Sequence, residues 1–212
     1  MKVVRATEAD IPALIALRRQ LAYDASRGTS TRGGFLLGCD EAGYQKRIRV
    51  GEAWVMRDPS LQGFAILVPN AAFRRSEIWA RRASVHWRGL APRDLERHRL
   101  CYFDQLAVRR GRHHNRRWGA VLAMHAIHHA MGVGKHDYML TSTVAKPVLN
   151  LAAVPYLTRI GARRVGTLNE AYDDIGALQS DIWMLSRADF ETRFSSPRGS
   201  AERLTIEACL AL

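Results

Sequence analysis

The run Leu100-Cys101-Tyr102-Phe103-Asp104-Gln105-Leu106-Ala107-Val108 constrains the fold of this chain more than any other segment. Its nine residues are almost all apolar, and arginines flank it at Arg99 and Arg109. A run this short and this continuous reads as a central strand, covered on both faces. The rest of the chain must therefore supply the neighbouring strands and the helices that cover them.

The flanking segments read accordingly. Residues 2–6 alternate and form a first strand. Thr7-Glu8-Ala9-Asp10 has the form of a capping box, and the spacing of Ile11, Leu14, Ile15 and Leu21 predicts a helix over 8–22. Residues 24–38 have no period and read as a mobile loop, and 40–50 as a second helix. Strands are expected at 53–57 and 63–68, joined through Asp58-Pro59-Ser60 as an antiparallel hairpin. Residues 70–99 form an Arg-rich excursion with one strand expected near 78–85.

After the central strand an arginine-laden turn opens a helix over 116–131, which Gly132 and Gly134 end. A strand is expected at 138–144. Pro147 suits the first turn of a helix that runs to 160 and stops at Gly161. The last strands are 163–168 and 181–186, separated by an acidic loop at 169–176, with a short helix at 187–194. The order is β-α-α-β-β-insert-β-α-β-α-β-β. This is an α/β chain with a mixed, mostly antiparallel sheet flanked by helices. The strict alternation of a doubly wound parallel sheet is missing.

Length and composition bound the function. At 212 residues the chain holds one ordinary domain, expected over 1–194, with 195–212 as a linker and a C-terminal segment that could form one more helix. Hydrophobic residues make up 47% and charged residues 25%, which argues against disorder. The sequence contains no stretch of 18 apolar residues and no apolar core of a signal peptide near residue 10, so a soluble, cytoplasmic protein is expected. Cys39, Cys101 and Cys209 are widely spaced and odd in number, which fits neither a disulfide scaffold nor a zinc site. The net charge is +12, and all but four of the 32 basic residues are arginine. That excess predicts an anionic partner: a phosphorylated cofactor, a nucleic acid or an acidic surface. A coding bias towards arginine is an equally good reason for the composition.

The chemistry concentrates in residues 100–162. A strand leads through a basic turn into a helix whose first turn holds Gly119 and Ala120. A helix N-terminus has unpaired N–H groups and a partial positive charge, where phosphate settles. Small residues let a ligand approach the backbone. Arg109, Arg110, Arg112, Arg116 and Arg117 surround that turn with guanidinium groups suited to pyrophosphate.

These residues resemble the GCN5-related N-acetyltransferase (GNAT) family. Leu106-Ala107-Val108 matches the end of the family's central strand. The stretch His114-Asn115-Arg116-Arg117-Trp118-Gly119, followed by Ala120, is similar to its phosphate-binding turn, with His114 and Arg117 in place of Gln/Arg and the first Gly. Asn150, Ala153, Tyr156 and Gly161 resemble a later family block, with the tyrosine one position early beside Pro155. The resemblance covers roughly residues 2–186. It implies acetyl-coenzyme A as cosubstrate, no metal, and transfer of the acetyl group by direct attack of an amine on a small molecule or peptide.

It also implies particular roles. The strands at 100–108 and 138–144 splay to admit the pantetheine arm. The backbones of Leu106 and Val108 pair with it, and the Val108 N–H faces the oxygen where negative charge grows. Arg112, His114, Asn115, Arg116, Arg117, Trp118, Gly119, Ala120, Ala107 and Asn150 complete the coenzyme site. Asp104, expected on one face with Leu106 and Val108, is the candidate base, directly or through water, and Tyr156 the candidate acid. A homodimer is compatible with such a family.

Blander readings stand beside these. The basic turn could be a nucleic-acid-binding arm, although helix-turn-helix, zinc-finger and RNA-binding patterns are missing. A GNAT-fold protein could bind the coenzyme without turnover. Asp104 could be a paired structural carboxylate and Tyr156 a core aromatic. His125, His128 and His129 have ligand-like spacing on a helix, yet they oppose the apolar stripe of Ala120, Ala123, Met124, Ile127 and Met131 and read as a solvated face.

Overall fold

The computed structural model describes residues 2–24, 26, 29–31, 33–37, 39–109, 115–173 and 175–195, without the side chains of 115–117. Strand β1 (Lys2–Arg5) leads through a 3-10 turn (Glu8–Asp10) into helix α1 (Ile11–Gln20). The Thr7 N–H donates to Asp10 Oδ2 at 2.9 Å, the contact expected of the capping sequence. A two-residue strand, β2 (Thr29–Ser30), precedes α2 (Glu41–Val50). The hairpin follows as β3 (Glu52–Asp58) and β4 (Ser60–Val68).

The excursion departs from expectation. No strand forms over 78–85. Short helices α3 (Asn70–Phe73) and α4 (Glu77–Ala80), a 3-10 turn (Arg81–Ser84), strand β5 (His86–Trp87) and helix α5 (Pro92–Glu96) take its place. Ser76 caps α4 by accepting the Trp79 N–H, which starts a helix where the apolar residues alone suggest a strand. Trp79 is buried against Phe73, with the guanidiniums of Arg74 and Arg82 over its ring at 4.6 and 4.8 Å.

The central strand β6 spans Leu100–Val108, the residues of the apolar run. Helix α6 (Asn115–His128) continues into a π-helical turn (His129–Val133). Strand β7 (Tyr138–Lys146) is longer than expected. The helix expected from Pro147 starts later: β8 (Leu149–Asn150) pairs in parallel with β2, and α7 covers only Val154–Arg159. Asn150 Oδ1 accepts the N–H groups of Ala152 and Ala153 at 3.2 Å, holding a turn ahead of the helix. Pro155 therefore sits in the first turn of α7, where its missing N–H costs nothing, and does not kink an established helix. Strands β9 (Arg163–Tyr172) and β10 (Gly176–Ser186) absorb most of the expected acidic loop, and α8 (Arg187–Phe194) closes the described chain. The expected linker and helix beyond 195 lie outside the described residues.

Eight strands form one sheet in the order β1-β3-β4-β6-β7-β10-β9-β5. Every neighbouring pair is antiparallel except β6 and β7 at its centre. Helix α6 covers one face, and α7 and α8 contribute Leu157, Phe190 and Phe194 to its core with Leu122, Ile127, Phe103 and Trp183. Helices α1 and α2 cover β3 and β4 on the opposite face through Leu14, Leu17, Tyr44, Phe64 and Ile66. The excursion covers that same face further along, packing Phe73, Trp79 and Leu95 on Tyr102, Leu140 and Ile182.

Only His128 of the three histidines is exposed; His125 and His129 are half-buried, so the helix face is solvated in part. His125 packs edge-on against the Trp54 indole at 4.3 Å, His129 Nδ1 lies 2.8 Å from Glu52 Oε2, and His128 stacks on Phe194 at 5.0 Å. The edge of β3 and helix α8 occupy the flanks of α6 that the sequence leaves to water. Burial drives the His125 pKa down from 6.5 to about 4, helped by the charges of His129, His128 and Arg5. The unfolded chain therefore binds this proton first, and stability falls as pH drops from about 6.5 towards about 4. We expect His125→Phe to lose less of its urea midpoint than the parent protein across that interval, measured by fluorescence at each pH.

Candidate active site

Strands β6 and β7 pair only at Leu100 with Tyr138, Cys101 with Met139 and Tyr102 with Leu140. Two side-chain bridges mark the end of this seam. Thr141 Oγ1 donates to the Phe103 carbonyl at 2.8 Å, and the Tyr102 and Ser142 hydroxyls share a hydrogen bond of 2.7 Å. Beyond them β6 stays on β4 and β7 stays on β10, so a wedge opens between the two central strands. The splay implied by the resemblance is present.

A β-bulge accompanies the parting. Strand β4 pairs Ile66 with Gln105 but Leu67 with Phe103, which leaves Asp104 as the extra residue. Side-chain alternation changes phase there. Cys101, Phe103 and Leu106 pack on the α6 side, whereas Ala107 joins the core under α1 and α2. Asp104 and Gln105 both point towards α2. Arg47 Nε donates to Asp104 Oδ2 at 2.5 Å, and the buried Tyr44 hydroxyl donates to Gln105 Oε1 at 3.1 Å. Asp104 therefore does not share a face with Leu106 and Val108. The bulge, which strict alternation ignores, is the reason.

The same change of phase aims the backbone. The Arg109 N–H donates to the Gln62 carbonyl at 2.7 Å, so Arg109 belongs to a hydrogen-bonded pair with β4. Pairing groups alternate along an antiparallel ladder. Ala107 thus also turns its N–H and C=O to β4, and Leu106 and Val108 turn theirs into the wedge. These are the groups the resemblance assigns to the coenzyme.

Six residues separate the end of β6 from Asn115, where helix α6 begins at the open end of the wedge. Among the described residues, a Cβ built on Gly119 meets Val108 Cγ2 at 3.5 Å, so the second turn of the helix lies directly against the end of β6. Trp118, Tyr156 and Leu106 all pack on the α6 core. Tyr156 is half-buried, with the Arg159 guanidinium 5.7 Å from its ring centroid. Ala120 is half-buried in the same helix. Asn150 is buried and its carbonyl oxygen holds the turn before α7. Arg112 and His114 lie outside the described residues. Asn115, Arg116 and Arg117 are placed in the first turn of α6, and their side chains lie outside the description.

The opposite face of the wedge was not assigned from the sequence. Tyr102 and Ser142 lie there, and burial, with the Asp104 charge, pushes the Tyr102 pKa up and keeps its phenol protonated. Glu170 Oε1 accepts from Arg81 Nη1 and from the Tyr172 hydroxyl at 2.9 Å each, and Glu170 Oε2 accepts from Ser180 at 3.1 Å. Burial works against the charge on Arg47, yet Asp104 more than offsets it and the Arg47 pKa rises. Both carboxylates on this face are thus bound to arginine. The run Thr141-Ser142-Thr143 inside a buried strand is the signal that could have marked this region; Arg47 carries none. Among the described residues no group of three His, Cys, Asp or Glu side chains is placed to hold a metal.

No protein-family profile matches the chain, and no curated protein does. Solved structures do. Ribosomal-protein-alanine N-acetyltransferase from Brucella melitensis superposes with a TM-score of 0.56 at 20% identity, covering 88% of this chain and 99% of its own. An acetyltransferase of the GNAT family from Streptococcus pneumoniae gives 0.53 at 14%, covering 87% and 97%. The fold is that of the GNAT acyltransferases. A Salmonella typhimurium protein of this shape, solved with its cofactor acetyl-CoA, gives 0.54 at 14% and covers 88% and 93%. The GNAT sheet places the wedge, the bulge and the start of α6 together.

The space at Gly119 yields a prediction. Gly119→Ala should fold with a melting temperature equal to or above that of the parent, gaining up to about 1 kcal/mol of helix propensity, as thermal unfolding will measure.

Proposed function

We propose that this protein is an acetyl-coenzyme A-dependent N-acetyltransferase acting on an amine of a small molecule or peptide, with residues 1–194 as its catalytic unit. The observation that carries this reading is the wedge: a bulged strand turns the Leu106 and Val108 amides into it, and a helix begins at its mouth. A free strand edge of this kind fits the amide-bearing arm of the coenzyme, and the small residues Gly119 and Ala120 leave the helix accessible to diphosphate. Arg112, His114, Asn115, Arg116 and Arg117 are the proposed phosphate contacts, with Trp118 and Asn150 shaping the site and Ala107 anchoring the strand between the two pairing amides.

Acetyl-coenzyme A supplies an activated acyl group, which passes to the amine as an amide while the thiol departs. The Val108 N–H donates to the oxygen on which charge develops. Tyr156, on the α6 side of the wedge, returns a proton to the sulfur. The amine enters from the face that carries Tyr102 and Asp104. Asp104 points to α2 and its carboxylate is already engaged by Arg47. We therefore assign the amine's proton to water at the wedge mouth and give Asp104 an orienting role. With Asp104 and Glu170 each held by an arginine, the acceptor face favours amines of low positive charge over polycations. Cys39 and Cys101 are buried free thiols, in keeping with a reducing cytoplasm.

Calorimetry with acetyl-coenzyme A and thiol release with a panel of amines test the reading. Absence of both, with salt-dependent DNA binding instead, would overturn it. Gly119→Glu, which sets bulk and negative charge at the helix start, should abolish coenzyme binding in the same calorimeter. Tyr156→Phe should lower kcat by about 100-fold and leave coenzyme affinity within about threefold. An unaltered rate removes Tyr156 from the mechanism.

A further inference from the structure

A bulge is not pinned by its own strand. An extra residue can be accommodated one pair earlier or later, and each such slip turns the downstream residues over. In this protein a slip would exchange the Ala107 amide for those of Leu106 and Val108 in the wedge. We propose that helix α2 sets the phase of β6, with Arg47 acting through Asp104 and Tyr44 through Gln105 as positioning residues for the Leu106 and Val108 amides. The consequence for catalysis rests on the acetyl-transfer reading; the clamp itself does not.

The geometry is specific. Asp104 and Gln105 are consecutive residues whose side chains leave β6 on one face, the signature of a bulge. Each ends on a residue of a single turn of α2, three positions apart. The clamp is anchored at both ends. Arg47 Nη1 also donates to the Gly43 carbonyl at 3.3 Å, which fixes the guanidinium against its own helix. A Cβ at Gly43 would lie 3.3 Å from that nitrogen and 2.7 Å from Cys39 Sγ, so glycine keeps the guanidinium's place clear. Tyr44 is fully buried and meets the Phe64 ring of β4 edge-on at 5.9 Å. At the other end of the helix, a Cβ at Gly51 would lie 2.9 Å from the Leu67 carbonyl. Leu67 is the β4 residue at which the register shifts. Helix α2 therefore reaches the bulge on β6 through Arg47 and Tyr44, and Gly51, the residue that follows the helix, lies close to the β4 side of the bulge.

The start of α2 is held as well. Asp40 Oδ1 accepts the Gly43 N–H at 2.8 Å, and Arg18 of α1 donates to the Cys39 carbonyl at 2.9 Å. The Arg47 charge is half-buried and committed to one carboxylate.

Amide exchange on the ligand-free protein, followed by NMR, tests the clamp. In the parent protein the Ala107 amide should exchange slowly and the Leu106 and Val108 amides fast. In Arg47→Met the protection of Ala107 should fall at least about 10-fold, with Trp183 and Leu185 of β10 unchanged and most of the loss recovered in Arg47→Lys. Turnover of Arg47→Met should fall at least about 10-fold and coenzyme A affinity should fall with it, both largely recovered in Arg47→Lys, with the midpoint of the pH–rate profile unmoved. An unaltered exchange pattern at 106–108 in Arg47→Met overturns the proposal, as does a loss shared equally by β10. A parent protein that binds no acetyl-coenzyme A overturns the acetyl-transfer reading, and the exchange pattern still decides on the clamp.

Discussion

Two parallel strands at the centre of a sheet ordinarily pair along their whole length, because buried backbone groups without partners cost free energy. In this protein β6 and β7 pair over three residues and then part. The structure manages the loss in two ways. Side-chain hydroxyls of Thr141, Tyr102 and Ser142 close the seam on both faces. The bulge at Asp104 then keeps β6 on β4 while turning the Leu106 and Val108 amides to the open side. The placement of α6 and the approach of Gly119 to Val108 both depend on that parting.

Much of this framework was legible from local pattern. The ends of β6 and of α8 coincide with their expected bounds, since an apolar run edged by arginine and a helix opened by Ser186 each carry their own boundary signals. The hairpin of β3 and β4 and the first helix were readable for the same reason. Other features depend on contacts remote in sequence. Nothing local marks Asp104 as a bulge, because the shift is a property of its pairing with Leu67 and Ile66. Its partner Arg47 lies 57 positions away. The segment after Pro147 looks helical until β8 finds β2 far upstream. His125 and His129 of α6 look solvated until Trp54 and Glu52 arrive from β3, whereas His128 is exposed as the pattern suggests. At the site, Tyr156 and Gly119 were marked by the pattern, while Tyr102, Ser142 and Arg47 emerge only in three dimensions.

The charge of the chain takes on a more particular meaning in the folded state. Several of its arginines are engaged within the molecule: Arg47 on Asp104, Arg81 on Glu170, Arg164 on Asp181, and Arg74 and Arg82 over Trp79. A planar guanidinium serves both stacking and forked hydrogen bonding, which lysine does not. The arginine bias thus serves internal contacts as well as the net charge.

The short seam has a mechanical consequence. It divides the sheet into two leaves, β1-β3-β4-β6 and β7-β10-β9-β5, hinged along a spine of three residue pairs. An extended guest whose amides bond to the inner margin of one leaf behaves as a borrowed ninth strand. Such a guest supplies hydrogen bonds that the polypeptide itself leaves unmade, so occupancy and rigidity of the hinge rise together.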